Sequence, residues 1–307
     1  MEKESLTTVA GVSTARANGA DQAGSQRARL QLVSAMLIFG TIGVFTRYIP
    51  LPSGEIALYR GILAILCVGA FLAVSRQGWP SSITKSDVWW LLLSGAAIGI
   101  NWVLLFQAYA NTTVSLATLS YYFAPTLVTI ASAVFFRERL GAKQIVCFLM
   151  ATLGLVLIVG SGEMNGASNG VGIFDGLGAA VFYATVVLLN KQLRHVPGVQ
   201  RTVLQFIAAV IVATPYVALT DGFHVATLHG VGLICMLVLG IVHTGFAYCI
   251  YFSSLPRIPG QTVAVLSYLD PLLAVILSVV ILQEPITLVQ CLGGALILGF
   301  ALWNEIK

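Results

Sequence analysis

Long apolar runs separated by short polar breaks dominate this chain from Leu30 to Trp303. Breaks at Gly, Pro, Asn and charged residues divide it into ten stretches, at about 30–48, 54–75, 88–110, 114–136, 142–160, 171–190, 202–220, 230–252, 261–282 and 286–303. Runs of this length far exceed the roughly 10 residues of a barrel strand. At a rise of about 1.5 Å per residue, several just reach across a hydrocarbon slab of about 30 Å. The pattern predicts an all-α membrane protein with ten transmembrane helices.

Two of the stretches carry matching text. Residues 119–138 read LSYYFAPTLVTIASAVFFRE and residues 265–284 read VLSYLDPLLAVILSVVILQE. A register of 146 pairs Tyr122 with Tyr268, Pro125 with Pro271, Ser132 with Ser278 and Glu138 with Glu284, and continues through Gly99/Gly245, Phe106/Phe252 and Gln144/Gln290. Apolar matches arise cheaply in such a sequence, but the Tyr, Pro, Ser and Glu matches do not. The chain is a duplication, and five predicted stretches separate the matching helices. Because five is odd, the second copy must lie upside down, which gives two inverted five-helix repeats, the architecture of many secondary transporters. The expected organisation is a disordered cytoplasmic tail at 1–29, a first repeat at 30–160 and a second at 171–303.

Composition fixes the solvent. Of 307 residues 58% are apolar and 9% charged, against about 25% charged in a soluble domain. The net charge of +4 therefore says little about nucleic acid, and no nucleic-acid partner is expected. Its placement matters more. With the N-terminus inside, all of the 16 Lys and Arg except Arg47 and Arg60 fall on the inner side. Likewise RERLGAK at 137–143 becomes QEPITLV at 283–289, which has no Lys or Arg. The expected setting is a bacterial inner (plasma) membrane, both termini cytoplasmic, as a monomer or homodimer. Cys67, Cys147, Cys235, Cys249 and Cys291 all lie in apolar runs without ligand spacing and read as core residues. No metal site or cofactor is expected.

The paired Pro-bearing segments, YYFAPTLVTIASAVFFRERL and SYLDPLLAVILSVVILQEPIT, each run into a loop glutamate. They resemble the two EamA repeats of the drug/metabolite transporter superfamily, and the resemblance spans about residues 30–303. It implies a ten-helix bundle with a central cavity that opens alternately to each side, in a family that often exports amino acids, metabolites or toxic compounds. One residue departs between the repeats: Arg139 of the first becomes Pro285 of the second.

Charges at bilayer depth cost about 2.5–3.5 kcal/mol on insertion scales and are normally kept for a cavity or a partner. Three titratable groups stand at such depth. Arg60 lies roughly 10 Å below the outer surface at helical rise, and its planar fork suits a carboxylate or phosphate on a substrate. The competing reading is a structural cation that snorkels outward, since Glu55 at i−5 is poorly placed to pair with it. Asp270 precedes Pro271 and replaces the Ala124 of the first repeat. A carboxyl group that alternates between wet and dry surroundings can take up a proton on one side and release it on the other. His243, at similar depth, titrates near neutral pH and would make a proton relay with Asp270; its bland alternative is a satisfied packing group.

Around them Asn101, Trp102, Gln107, Tyr121 and Tyr122 cluster at the depth of Arg60, and Tyr248 and Tyr268 occupy the second repeat. Tyr and Trp pair apolar faces with a hydrogen-bonding edge, which suits an amphiphilic organic cargo; their structural alternative is an interfacial belt, as for Trp79, Trp89, Trp90 and Trp303. Glu138 and Glu284 read as capping and loop-ordering groups beside Arg137 and Arg139. Gly95/Gly99 and Gly172/Gly176 have the spacing of close helix approach. No H-E-x-x-H, phosphate loop or G-x-S-x-G elbow is present, so an enzyme is not expected. The sequence points to an alternating-access secondary transporter, exporting a small organic solute such as an amino acid or related metabolite, with proton antiport as the candidate coupling. A passive facilitator or channel of the same fold, or a non-transporting membrane protein, is the alternative. Cargo class and export rest on the resemblance.

Overall fold

The computed structural model describes residues 24–75, 83–136, 141–162, 167–190, 192–193, 196–220 and 222–306. Those residues form helices without strands: α1 Gly24–Thr46, α2 Ser53–Ser75, α3 Lys85–Asn111, α4 Val114–Phe135, α5 Ala142–Gly162, α6 Ala167–Asn190, α7 Gly198–Leu219, α8 Gly230–Ser254, α9 at 260–280 and α10 Leu288–Glu305. Eight of them are long and apolar enough to cross a membrane. In α5 and α9 the qualifying apolar stretches are shorter, Ala142–Ile158 and Val265–Val280. Large apolar side chains such as Leu66, Leu149, Phe174 and Leu292 are exposed on the outer surface of the bundle, as lipid contact requires. Trp89 and Trp303 are exposed near helix ends and Trp90 is half-buried; Trp79 lies outside the described residues.

The duplication is visible in backbone detail. Helix α4 breaks between Tyr121 and Ala124, and α9 breaks between Ser267 and Leu269. At the breaks Tyr122 has φ −72, ψ 6 and Tyr268 has φ −74, ψ −7. The cause is local: Pro125 and Pro271, one turn on, lack an N–H and crowd the carbonyl four residues back. Gln144 and Gln290 repeat a second device. Each side-chain oxygen accepts the backbone N–H three residues earlier, from Gly141 at 2.7 Å and Thr287 at 2.9 Å, which fixes the starts of α5 and α10.

Small residues set the helix spacing. A Cβ at Gly95 would lie 2.5 Å from the Gln205 carbonyl oxygen, so α3 and α7 touch backbone to backbone there. Gly172 and Gly176 press α6 onto Thr112 and the Ala117–Ser120 turn. Both G-x-x-x-G pairs thus pack helices within one chain.

One expectation changes. The tail drawn to residue 29 is too long: 24–30 is already helical, and Ala28 is buried with Leu32, Ala35 and Ile258. Gln, Arg and Ala are good helix formers, so α1 extends beyond its apolar run. Residues 1–23 lie outside the described ones, as do Arg137, Glu138 and Arg139.

Candidate functional site

A cavity of about 570 Å³ occupies the middle of the bundle. Arg60 of α2, Asn101, Trp102 and Tyr109 of α3, Tyr121 and Tyr122 at the α4 break, Tyr248 of α8, and Tyr268 and Asp270 at the α9 break all line it. Both proline-broken helices therefore place their irregular backbone at the cavity, the setting in which such backbone is tolerated at membrane depth. The lining continues to Asn190, Arg201, Leu255 and Glu305, at the end of the bundle where α6, α8 and α10 finish and α7 begins.

Arg60 is 4% exposed. Its Nε donates to Thr244 Oγ1 at 2.6 Å, and its guanidinium carbon lies 4.7 Å from the Trp102 ring centroid and 5.3 Å from that of Phe106. It makes no ion pair among the described residues. Glu55 is instead held by His224, whose backbone N–H and Nδ1 both meet its carboxylate at 2.7 Å. A guanidinium has five donor hydrogens, and among the described residues one hydrogen bond and two aromatic faces use only part of that capacity. Thr244 reaches Arg60 from a π-helical stretch, Val238–Phe246, in which the Thr244 hydroxyl donates to the Leu239 carbonyl five residues back.

Asp270 sits in the first turn of the second half of α9 and accepts the Tyr122 hydroxyl at 2.6 Å. One contact thus joins the two repeats at their two breaks. Tyr109 and Tyr248 line the same cavity as Arg60 and Asp270, so phenol groups share the chamber with the guanidinium and the carboxyl group. Tyr121 packs edge-on against Tyr122 and Tyr183, with centroids 5.8 and 5.6 Å apart, and Trp102 lies 5.0 Å from Phe206. The Tyr268 hydroxyl is buried without a hydrogen-bond partner among the described residues, a state native structures rarely leave unexplained. Asn101 is partly spent: its amide donates to the Ala179 carbonyl at 2.7 Å.

Two sequence candidates stand apart from the lining. Gln107 is half-buried on α3 away from the cavity. His243 faces α1: Nε2 meets Thr41 Oγ1 at 2.7 Å, Nδ1 meets the Val238 carbonyl at 3.1 Å, and its ring is 4.9 Å from Phe45. No hydrogen bond joins His243 to Asp270 among the described residues, because each is occupied elsewhere. The expected relay is not assembled. Sequence reasoning missed Tyr109, Phe206 and Gln205. Gln205 carried a usable signal: it is the eighth residue of α7 as Arg60 is the eighth of α2, each helix following a proline.

At the opposite end the bundle is drawn shut. Arg47 Nη2 donates to the Thr112 carbonyl at 2.5 Å and to Glu284 Oε1 at 2.6 Å. Glu284 Oε2 accepts the Val114 N–H at 2.7 Å and the Ser278 hydroxyl. The Thr112 hydroxyl donates to Asn169 at 2.8 Å. Glu284 thus performs the capping expected of it, but on the N-terminus of α4 and beside Arg47.

Apolar helices around a central chamber lined by polar and aromatic groups, hinged on two repeated breaks, describe a membrane transporter for a small molecule. The profile of the EamA-like transporter family matches residues 26–160 and again 170–304. The transporter YxxF of Bacillus subtilis (strain 168) is 33% identical over 279 residues, 89% of this chain and 88% of that protein. The pseudopaline exporter CntI of Pseudomonas aeruginosa (strain UCBPP-PA14) is 30% identical over 198 residues, 62% of this chain and 65% of that protein. A solved crystal structure shares the fold, with TM-score 0.63 at 20% identity over 90% of this chain and 96% of its own. The chain belongs to the EamA-like transporter family, with two repeats.

Proposed function

We propose that the protein is an alternating-access secondary transporter that exports a small zwitterionic solute, an amino acid or related metabolite, in exchange for protons. In this reading ten helices cross the membrane as two inverted five-helix halves, about 30–160 and 171–303, with both termini cytoplasmic in a bacterial inner membrane, as the distribution of Lys and Arg favours. The resemblance to a pseudopaline exporter supports export.

The observation that carries the cargo class is the buried guanidinium of Arg60, on the wall of the cavity and without a carboxylate partner among the described residues. A buried charge retained without an ion pair is expensive unless something else neutralises it in use, and a cargo carboxylate does so in the bidentate geometry that suits arginine. Asp270, which lines the same cavity, receives the cargo's ammonium group. Tyr109, Tyr121, Tyr248 and Trp102 cover its apolar part, and the free Tyr268 hydroxyl supplies one more polar contact. The Asp270 carboxyl cannot hold a proton and the ammonium group at once, which is the competition that antiport needs. His243 and Gln107 play no part in this site; His243 fastens α1 to α8.

The test is transport into inside-out proteoliposomes of a radiolabelled amino-acid panel, chosen by comparing metabolites released from overproducing and empty-vector cells. Uptake driven by a pH gradient, stopped by an uncoupler, and inhibited by free amino acids but not by their methyl esters or N-acetyl derivatives is expected. Equal inhibition by the esters removes the Arg60 contact, and flux that only dissipates a solute gradient makes the protein a passive facilitator.

A further inference from the structure

We infer that Arg47 and Glu284 form a latch that holds the cavity closed at the end away from Asn190 and Glu305, and that each transport cycle must break and remake it. This rests on the alternating-access reading above but not on the nature of the cargo.

The first four N–H groups of a helix lack partners within the helix. At the start of α4 three of them are satisfied from outside: Val114 N–H by Glu284, Ser115 N–H by the Ser278 hydroxyl at 3.3 Å, and Leu116 N–H by the Thr113 side chain at 3.2 Å. Only the last cap is local. The other two come from the end of α9, in the opposite repeat. The cap places a carboxylate at the positive end of the helix, where it is favoured. Arg47, at the end of α1, then ties the same carboxylate to the Thr112 carbonyl that closes α3. Thus one side chain gathers the ends of α1, α3, α4 and α9.

The halves it joins are the ones that end at the breaks. Val114–Tyr121 is the segment of α4 before its break, and Leu269–Val280 is the segment of α9 after its break. Both breaks line the cavity, so swinging either segment about its break would open this end, and the swing separates Val114 from Glu284. The aim of Glu284 is also built in. Gln283, just before it, has φ +54, a left-handed conformation uncommon for a residue with a side chain, and the Glu284 N–H returns to the Ser278 carbonyl at 3.1 Å. This turn fixes the carboxylate against α4.

The chemistry suits a reversible closure. Arg47 and Glu284 side chains are 29% and 13% exposed, so water replaces their mutual contacts when they part, and ion pairs so placed contribute little net stability. A fully buried pair would resist opening. The lining of the cavity includes no residue of the loops at this end, so the closed state is the one in the structure.

Position 118 serves as reporter: Thr118 lines the cavity on the α4 segment that the latch holds. In a background lacking the five native cysteines, Thr118→Cys is labelled with a membrane-impermeant maleimide from the Arg47 side of sealed vesicles. Arg47→Gln and Glu284→Gln should each raise that labelling rate about fivefold, the shift expected from losing an exposed ion pair, while labelling from the other side falls. Arg47→Lys should label close to the parent, since both contacts use one nitrogen. Arg47→Gln leaves the Glu284 cap on α4 in place, so it remains informative if Glu284→Gln does not fold. Labelling of the folded Arg47→Gln protein at the parent rate overturns the latch. The alternating-access reading fails separately, if a transported amino acid never changes labelling of the parent protein from either side.

Discussion

Replacing Arg60 by alanine separates a cargo anchor from a structural cation. Among the described residues the guanidinium has one hydrogen bond, to Thr244, and two aromatic faces. Cation–π contacts of this kind contribute about 1–2 kcal/mol when desolvated, so folding should weaken by about that amount, partly offset because an unpaired charge no longer has to be buried. The loss to cargo binding should be larger. A hydrogen bond to a charged group is worth about 1.5–3 kcal/mol net, which at 1.36 kcal/mol per decade is a rise of about 10- to 150-fold in KM. Arg60→Lys keeps the charge and loses the fork, so its KM should fall between the two. Initial rates in proteoliposomes over a range of solute concentrations measure KM and Vmax, and thermal unfolding in detergent measures the structural part. Unchanged KM with reduced Vmax, or equal loss for Arg60→Lys and Arg60→Ala, would refute the anchoring role.

Asp270→Asn keeps an acceptor for the Tyr122 hydroxyl but removes the titratable oxygen; it should abolish accumulation driven by a pH gradient, read as the steady-state ratio of solute across the vesicle wall, with thermal unfolding unchanged. Gly95→Val puts a branched side chain where a Cβ already meets the Gln205 carbonyl at 2.5 Å, and the unfolding midpoint in detergent should drop by an amount equivalent to about 1–3 kcal/mol. His243→Ala leaves the Thr41 hydroxyl and the Val238 carbonyl unpaired and opens a void, a loss of about 2–4 kcal/mol seen in the same measurement, while KM for cargo stays at the parent value.

The repeat was legible because polar identities persist against an apolar background. Tyr122/Tyr268 and Pro125/Pro271 mark breaks with nearly the same backbone angles, and Gln144/Gln290 make the same start-of-helix bond. The all-helical membrane class followed from run length and composition. What the sequence hides is rotation about each helix axis. Gln107 is five residues beyond Trp102 on α3, yet only Trp102 turns to the cavity. His243 and Thr244 are neighbours, and one meets α1 while the other meets Arg60. Neither side is set by depth, which is what position along a helix reports. Arg47 was marked as the sole cation at its boundary, but its partners come from residues 112 and 284, a proximity that only the packed bundle creates.

The wide turn of α8 between Val238 and Phe246 sets the rotational phase of everything after it. Each residue of a regular helix advances about 100°, so the additional residue in a widened turn offsets the downstream half by a comparable angle. Through that offset Thr244 inside the turn meets Arg60 while Tyr248 beyond it lines the chamber. Winding the same residues as an ordinary spiral would carry Tyr248, Tyr251 and Phe252 round by that angle, away from the chamber they line, so the shape of this turn, and not only the composition of the helix, is part of the binding chemistry.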